Sequence, residues 1–448
     1  MPKVNKNLTE GNIGRQLTSL TWPTLLGLAG MVIFNLVDTY FIGRLGVQQL
    51  AAIGFCFPVI MFVNSLAHGI GIGTSSLVSR NIVITRRETV RRMASRAVFL
   101  GIIVVVVVVI FGLLTIKPLF TALGAAPDIL GYINDYMSVW YYGVAVVVVP
   151  MIGNNIVRAT GDTFYPGMLM VLAAVINAIL DPLLIFGIGP FPEMGIKGAA
   201  LATVISRGSS LIFILYILIR HENLLTRSIG RISEIVKTWG EVLYIAGPAS
   251  LALLITPISL GLITRIIAGF GEEAVAAFGV ASRVETFALM MISALGSVMI
   301  IYIGQNISQH KFSRIFKALK YGGIFSLVWG ALIFMVFLLF SGSIAALFSD
   351  NQQVVGITSG YLKIVGMSYG FQGLVMLSMS AFNGLKKPLP AAFFSFFRMM
   401  GIYVPLAWLG SAIFGLTGVF MATLLSNFIS GVVAFMYLIK TVRKMKMA

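Results

Sequence analysis

Four side chains in the first half of the chain have the types and spacing of an ion site. Asn35 and Asp38 are three residues apart, and Asn177 and Asp181 are four apart. On a helix either spacing places both side chains on one face. The first pair sits in an apolar run: no charged residue lies between Arg15 and Asp38, and the run continues through Phe41 and Ile42. Inserting a carboxylate into such a run costs about 2.5–3.5 kcal/mol on translocon scales, so its presence there points to function. The second pair precedes Pro182, which disfavours a helical backbone at Asp181 and leaves an unmatched carbonyl one turn earlier. A kink beside a buried carboxylate would be a mobile joint with a titratable group attached. Two carboxylates sharing a low-dielectric pocket resist being ionised together. A proton taken up by the pair would therefore change the local charge and drive helix bending. The plainer readings are a structural acid neutralised by an arginine at Asp38, and a helix-end acid at Asp181.

Tyr136, Asn154, Asn155 and Thr203 fall on first-half helices, as partners of the acids or as interhelical hydrogen bonds. In the second half Arg283 and Glu285, two apart, read as a structural pair. Arg207 and Arg398 are cations inside apolar segments, placed to balance the acids or to line a cleft, with Glu285 as an alternative partner for Arg207. Phe393, Phe394, Phe396, Phe397, Met399 and Met400, with Met290 and Met291, form a soft surface. Such a surface suits either a promiscuous site or lipid-facing packing. No Walker-type Gly-x4-Gly-Lys-Ser/Thr is present, nor any Ser/His/Asp pattern for hydrolysis, so ATP fuel and an enzyme are not expected. The three histidines are scattered and Cys56 stands alone, so neither a metal site nor a cofactor is expected. The remaining energy source is an ion gradient. One proton crossing 100 mV gains about 2.3 kcal/mol, and one pH unit adds roughly 1.4 kcal/mol.

These residues need a membrane-spanning scaffold. The chain is 58% hydrophobic and only 10% charged, with mean hydropathy +0.96, which marks an integral membrane protein. The basic N-terminus runs into a helix far longer than a signal-peptide core, so no cleavable signal is expected. The apolar segments predict twelve spans, at 16–43, 49–77, 95–117, 129–152, 163–187 and 196–220, then 240–267, 274–302, 318–347, 354–382, 389–413 and 417–440. The last two must be divided near Gly415–Gly418, because Arg398 to Lys440 encloses 41 uncharged residues. With these spans, 24 of the 32 Lys and Arg fall on the side of both termini. Four fall opposite (Arg44, Lys117, Lys197, Arg265) and four inside spans (Arg207, Arg283, Lys363, Arg398). That bias predicts cytoplasmic termini. The net charge of +17 then reflects topology and anionic lipid contact rather than nucleic-acid binding.

The chain also repeats. Pro23, Gly46, Ala51-Ala52, Gly54 and Asn81 match Pro248, Gly271, Ala276-Ala277, Gly279 and Asn306 at a lag of 225. Gly161 and Pro182 match Gly384 and Pro405 at 223, and Gly198 and Ser206 match Gly418 and Ser426 at 220. The expected domains are a six-helix lobe at 1–221, a linker at 222–239 and a second six-helix lobe at 240–448. An even number of spans per unit relates the lobes by a pseudo-two-fold axis along the membrane normal, with a cleft between them. The acids break this symmetry, because Asp38 aligns with Ile263 and Asp181 with Val404. The ion chemistry therefore belongs to the first lobe.

Over essentially its whole length the chain resembles the multidrug and toxic compound extrusion (MATE) family. The resemblance rests on Trp22-Pro23, Asp38-Thr39-Tyr40-Phe41-Ile42-Gly43, Leu50-Ala51-Ala52-Ile53-Gly54, Arg158-Ala159-Thr160-Gly161-Asp162 and Asn177-x3-Asp181-Pro182. The second half adds Ala277-Phe278-Gly279, Arg283-Val284-Glu285 and Gly304-Gln305-Asn306. Acids in helices 1 and 5 are similar to the DinF-type branch. That similarity implies a proton site at Asp38, Asn177 and Asp181, with Tyr136, Asn154 and Thr203 as candidate neighbours; Asn35, on the face of Asp38, is expected to supply a hydrogen bond. The NorM-type branch usually carries acids in helices 7 and 10, and neither Val242 to Ile263 nor Gly356 to Phe382 has one. The resemblance implies a monomeric bacterial inner-membrane antiporter that exports amphipathic, mostly cationic organic compounds against protons. Arg283, Glu285, Arg398, Met290 and Phe394 are its substrate-cleft candidates. A sodium-coupled drug antiporter and a flippase for lipid-linked saccharides are the alternatives.

Overall fold

The computed structural model describes residues 7–447, the side chain of Val47 aside; Lys3 and Lys6 of the charge count lie outside the described residues. Every regular element among them is helical. The first half contributes α1 (Ile13–Gly43), α2 (Val47–Asn81), α3 (Arg87–Ala122), α4 (Pro127–Ala159), α5 (Phe164–Phe186) and α6 (Ile196–Tyr216), which ends in a π-helical turn. The second half contributes α7 (Ile232–Ala268), α8 (Glu272–Ser308), α9 (Phe312–Ala346), α10 (Gln352–Gly366), α11 (Tyr369–Gly384), α12 (Pro388–Phe396) and α13 (Val404–Met447). A π-helical segment at Phe397–Tyr403 joins α12 to α13.

Ten helices are long and apolar enough to cross a bilayer, counting Pro388–Met447 as one, and α10 with α11 forms a further span bent by 59°. Pro388–Met447 is itself broken at Gly415, whose φ of 60° and ψ of −143° are not helical. Split there, the chain has the expected twelve spans, as a multi-pass helical membrane protein. The predicted helix at 354–382 is corrected to a bent pair. The turn at the bend is fixed by Ser368, whose hydroxyl donates to the Val365 carbonyl at 2.7 Å. The repeat is visible in the backbone: Gly46 and Gly271, equivalent at the lag of 225, precede α2 and α8 at φ 140° and 106°. Those values favour glycine because it carries no Cβ.

Packing divides the chain differently from its repeat. One compact unit holds Trp22–Ser250 and the other holds Leu8–Thr21 with Leu251–Ala448. Half of the expected linker at 222–239 is the start of α7, and the cationic face of α3 holds the rest. Arg91 donates to the Leu225 carbonyl at 2.9 Å, Ser95 accepts from the Thr226 amide at 2.8 Å, and Arg96 pairs with Glu234. In the other unit the segment before α1 is tied to α8 and α9. The Leu8 amide donates to Gln305 at 3.1 Å, Asn306 donates to the Leu8 carbonyl at 3.1 Å, and Arg314 donates to the Gly11 carbonyl at 2.8 Å. Each unit is thus closed by a segment drawn from the far side of a repeat boundary.

Candidate functional site

The acids of the first unit are brought together by close approach of α1 and α5. A Cβ on Gly27 would lie 2.9 Å from the Gly167 Cα, and one on Gly30 would lie 3.1 Å from the Val171 Cα. Seen from α5, a Cβ on Gly167 would run into the Pro23 carbonyl. Small residues are what allow helix backbones to come so near in a membrane. Residue numbers rise together along this seam, so α1 and α5 are parallel, offset by about 140. Carried onward, that offset sets Asp38 against the 178–179 region of α5, next to Asn177 and within a turn of Asp181.

In keeping with that geometry, Asp38 and Asp181 lie within Coulombic range of each other and of Tyr136. Asn177 and Asp181 are fully buried, and the Asn177 amide donates to Asp181 Oδ1 at 3.0 Å. α5 runs helically through Asp181-Pro182 and ends at Phe186, so Asp181 is inside the helix and not at its end. Asp38 is half-buried. Four enclosed oxygens in this unit, Asp38 Oδ1, Asp181 Oδ2, Asn177 Oδ1 and Thr203 Oγ1, have no hydrogen-bond partner. Buried polar atoms are normally paired. A set rich in acceptors and poor in donors suits a proton or a hard monovalent cation.

Other candidates separate from this group. Asn35 is exposed, and its carbonyl accepts from the Thr39 hydroxyl at 2.8 Å. Asn154 lies on α4 eighteen residues beyond Tyr136, which is about 27 Å along a helix. The two cannot reach one small site. Asn155 donates to the Met151 carbonyl at 2.8 Å and fills the space a Cβ on Gly71 would take. Arg207 is stacked over the Phe34 ring, 4.5 Å from its centroid, and enters no described ion pair.

The second unit holds a buried polar network that adjacency in sequence did not reveal. Glu285 accepts from the Tyr361 hydroxyl and from the Gln372 amide, both at 2.9 Å. Gln372 in turn accepts from Asn427 at 3.1 Å, and Asn427 accepts from Arg398 at 3.1 Å. The Arg283–Glu285 pair is therefore corrected: two residues apart on a helix point to different sides, and Arg283 is exposed. Arg398 balances Glu285 within the same unit, where the two feel each other's charge. Of the cleft candidates, Met290 and Phe394 are buried, and Phe394 stacks on Phe382 at 6.2 Å. The signals for this network were present but dispersed: the α10–α11 bend supplies Ser368 and Gln372, and the π-helical segment supplies Arg398. π-bulges recur at functional sites because they turn a side chain out of register.

Comparison with known proteins gives a consistent result. The MatE family profile matches residues 23–183 and 248–409. The chain is 37% identical over 433 residues to an FAD transporter of Shewanella oneidensis, covering 97% of this chain and 96% of that one. It is 25% identical over 411 residues to the probable multidrug resistance protein YoeA of Bacillus subtilis, covering 91% and 89%. Its fold is similar to the Vibrio cholerae MATE transporter VcmN in the bent form, with a TM-score of 0.90, 31% identity and 98% of each chain covered.

Proposed function

The chain belongs to the MatE family, and on that premise we propose that it is a proton-coupled secondary transporter exporting amphipathic organic compounds. Members of the family are membrane transporters rather than enzymes. One observation carries the coupling. Asp38 and Asp181 lie in apolar spanning helices within range of each other, and neither enters a described ion pair. Carboxylates held in this way are at their lowest cost when a proton is shared between them. Asp38 is the carrier in this reading, Asp181 its partner, and Asn177 holds Asp181 in place. The bacterial relatives and the excess of Lys and Arg on one side support an inner-membrane location with cytoplasmic termini.

The multidrug relatives support a broad substrate range. A second reading of the substrate, a flavin dinucleotide or a compound like it, is supported by the higher identity to the FAD transporter, 37% against 25%. Export from proteoliposomes under an imposed pH gradient, with and without sodium, tests the coupling. The native chain should export in response to the pH gradient and ignore sodium. Asp38→Asn should lose export while staying monodisperse in detergent. Full export by Asp38→Asn would sink the proton-site assignment, and export that follows sodium would replace the coupling ion.

A further inference from the structure

The first unit contains a second charged group, opposite in sign to the acids. Arg207 and Thr203 are four residues apart on α6, as are Phe34 and Asp38 on α1. α6 folds back on α5 after the 187–195 connection, its Ser210 hydroxyl donating to the Leu169 carbonyl near the start of α5, and so runs antiparallel to α1. Asp38 and Thr203 therefore form one level of the bundle, and Phe34 and Arg207 the next, about 6 Å along. One turn before Phe34 on α1, Gly30 closely approaches the Met170 carbonyl of α5, and Arg158 of α4 lies against the Met170 side chain; His68 is on α2. His68 is within Coulombic range of both Arg158 and Arg207. His68 is exposed and the two arginines are half-buried.

Among the described residues neither arginine has an acidic partner. No described ion pair includes either one. Arg158 Nη2 lies against the Met170 sulfur at 3.4 Å, and its enclosed Nε has no acceptor. Phe34 covers the face of the Arg207 guanidinium, which holds the plane by cation–π contact and leaves the edge N–H groups available. Arg207 is an uncompensated guanidinium inside a span and Arg158 another in the last turn of α4, and a charge in a span is costly unless something anionic completes it. The forked donors of both match the oxygens of a phosphoester better than they match any cation.

We infer that His68, Arg158 and Arg207 bind the phosphate of a phosphoester, for which flavin mononucleotide is the probe. This deepens the transport reading above and rests on it for the direction of movement, but the site itself is tested without a gradient. Purified protein, free of phospholipid and inorganic phosphate, is titrated with riboflavin and with flavin mononucleotide. The two probes share one ring system and differ by a single phosphate. A charge-assisted hydrogen bond is worth about 1.5–3 kcal/mol, roughly tenfold or more in affinity. Flavin mononucleotide should therefore bind at least about tenfold tighter. Arg207→Gln and Arg158→Gln should each erase most of that preference and leave riboflavin affinity as it was, with Arg207→Lys intermediate.

Equal affinity for the two flavins on the native chain overturns the site whether or not the variants fold, and so does no binding of either. Retained preference in both glutamine variants overturns it as well. A further arm adds phosphatidylglycerol. Displacement of flavin mononucleotide shows that the site reads phosphate from a lipid headgroup too, and no displacement confines it to soluble ligands. A chain that binds flavin mononucleotide through these arginines and exports nothing under any gradient would defeat the transport reading and leave the site standing.

Discussion

At the scale of single residues, the acids were legible because their surroundings are so uniform. A carboxylate such as Asp38 stands out in an uncharged run, and the four-residue spacing of Asn177 and Asp181 became a real 3.0 Å hydrogen bond. Spacing says nothing about depth between helices, however, which is why Asn154 was grouped with Tyr136 although α4 holds them far apart. It was equally silent about partners distant in the chain: Glu285 is 76 residues from Tyr361 and 87 from Gln372, the two groups that bond it. That network has a testable consequence. Tyr361→Phe removes one of two donors from a carboxylate that stays enclosed, with a cost of about 1.5–3 kcal/mol. The variant should melt several degrees below the native protein in a detergent thermal-shift measurement. An unchanged melting temperature would mean that the Tyr361 bond adds nothing to the second unit. Glu285→Gln, which keeps the shape and can still accept from Tyr361, should lose less.

At the scale of elements, the long helices follow directly from hydropathy, and Gly415 could be placed because 41 uncharged residues exceed one span. The bend between α10 and α11 was not legible, since no proline marks it and a serine hydroxyl with an asparagine on α13 holds it instead: Asn427 donates to Ser368 at 2.9 Å. Nor was the π-helical segment at Phe397–Tyr403, whose aromatic and methionine residues read as ordinary helix. The element on which the proposed proton site most depends is the α1–α5 seam. Gly167→Ala would drive a methyl group into the Pro23 carbonyl, so the helices must part. Overpacking of this kind costs about 1–3 kcal/mol. The expected result is a lower melting temperature together with weaker pH-driven export, because Asp38 is moved off Asn177 and Asp181. Gly208→Ala on α6 meets nothing within 4 Å and should change neither. If Gly167→Ala keeps native export, the seam does not set the spacing of the acids.

At the scale of the whole molecule, the two opposite charge groups make the sign of the cargo a matter of energetics as well as fit. Exchanging one proton for one monovalent cation moves no net charge and leaves the membrane potential without leverage. Exporting a phosphoester that carries two negative charges while admitting one proton moves three charges in the direction an inside-negative potential favours. At about 2.3 kcal/mol per charge per 100 mV, that is roughly 7 kcal/mol of drive before any pH difference is counted. The same protein would then be nearly indifferent to potential with one class of substrate and steeply dependent on it with the other. Proteoliposomes clamped with potassium and valinomycin separate the cases. With the pH gradient held constant, export of flavin mononucleotide should rise strongly as the side from which it leaves becomes more negative, and export of a monovalent cationic dye should stay nearly flat. Arg207→Gln should remove the potential-dependent flavin flux and spare the dye, whereas Asp38→Asn should remove both. A flavin flux that ignores potential would mean that compensating ions travel with the phosphate. The arginines would then be binding a cargo whose charge is already neutralised.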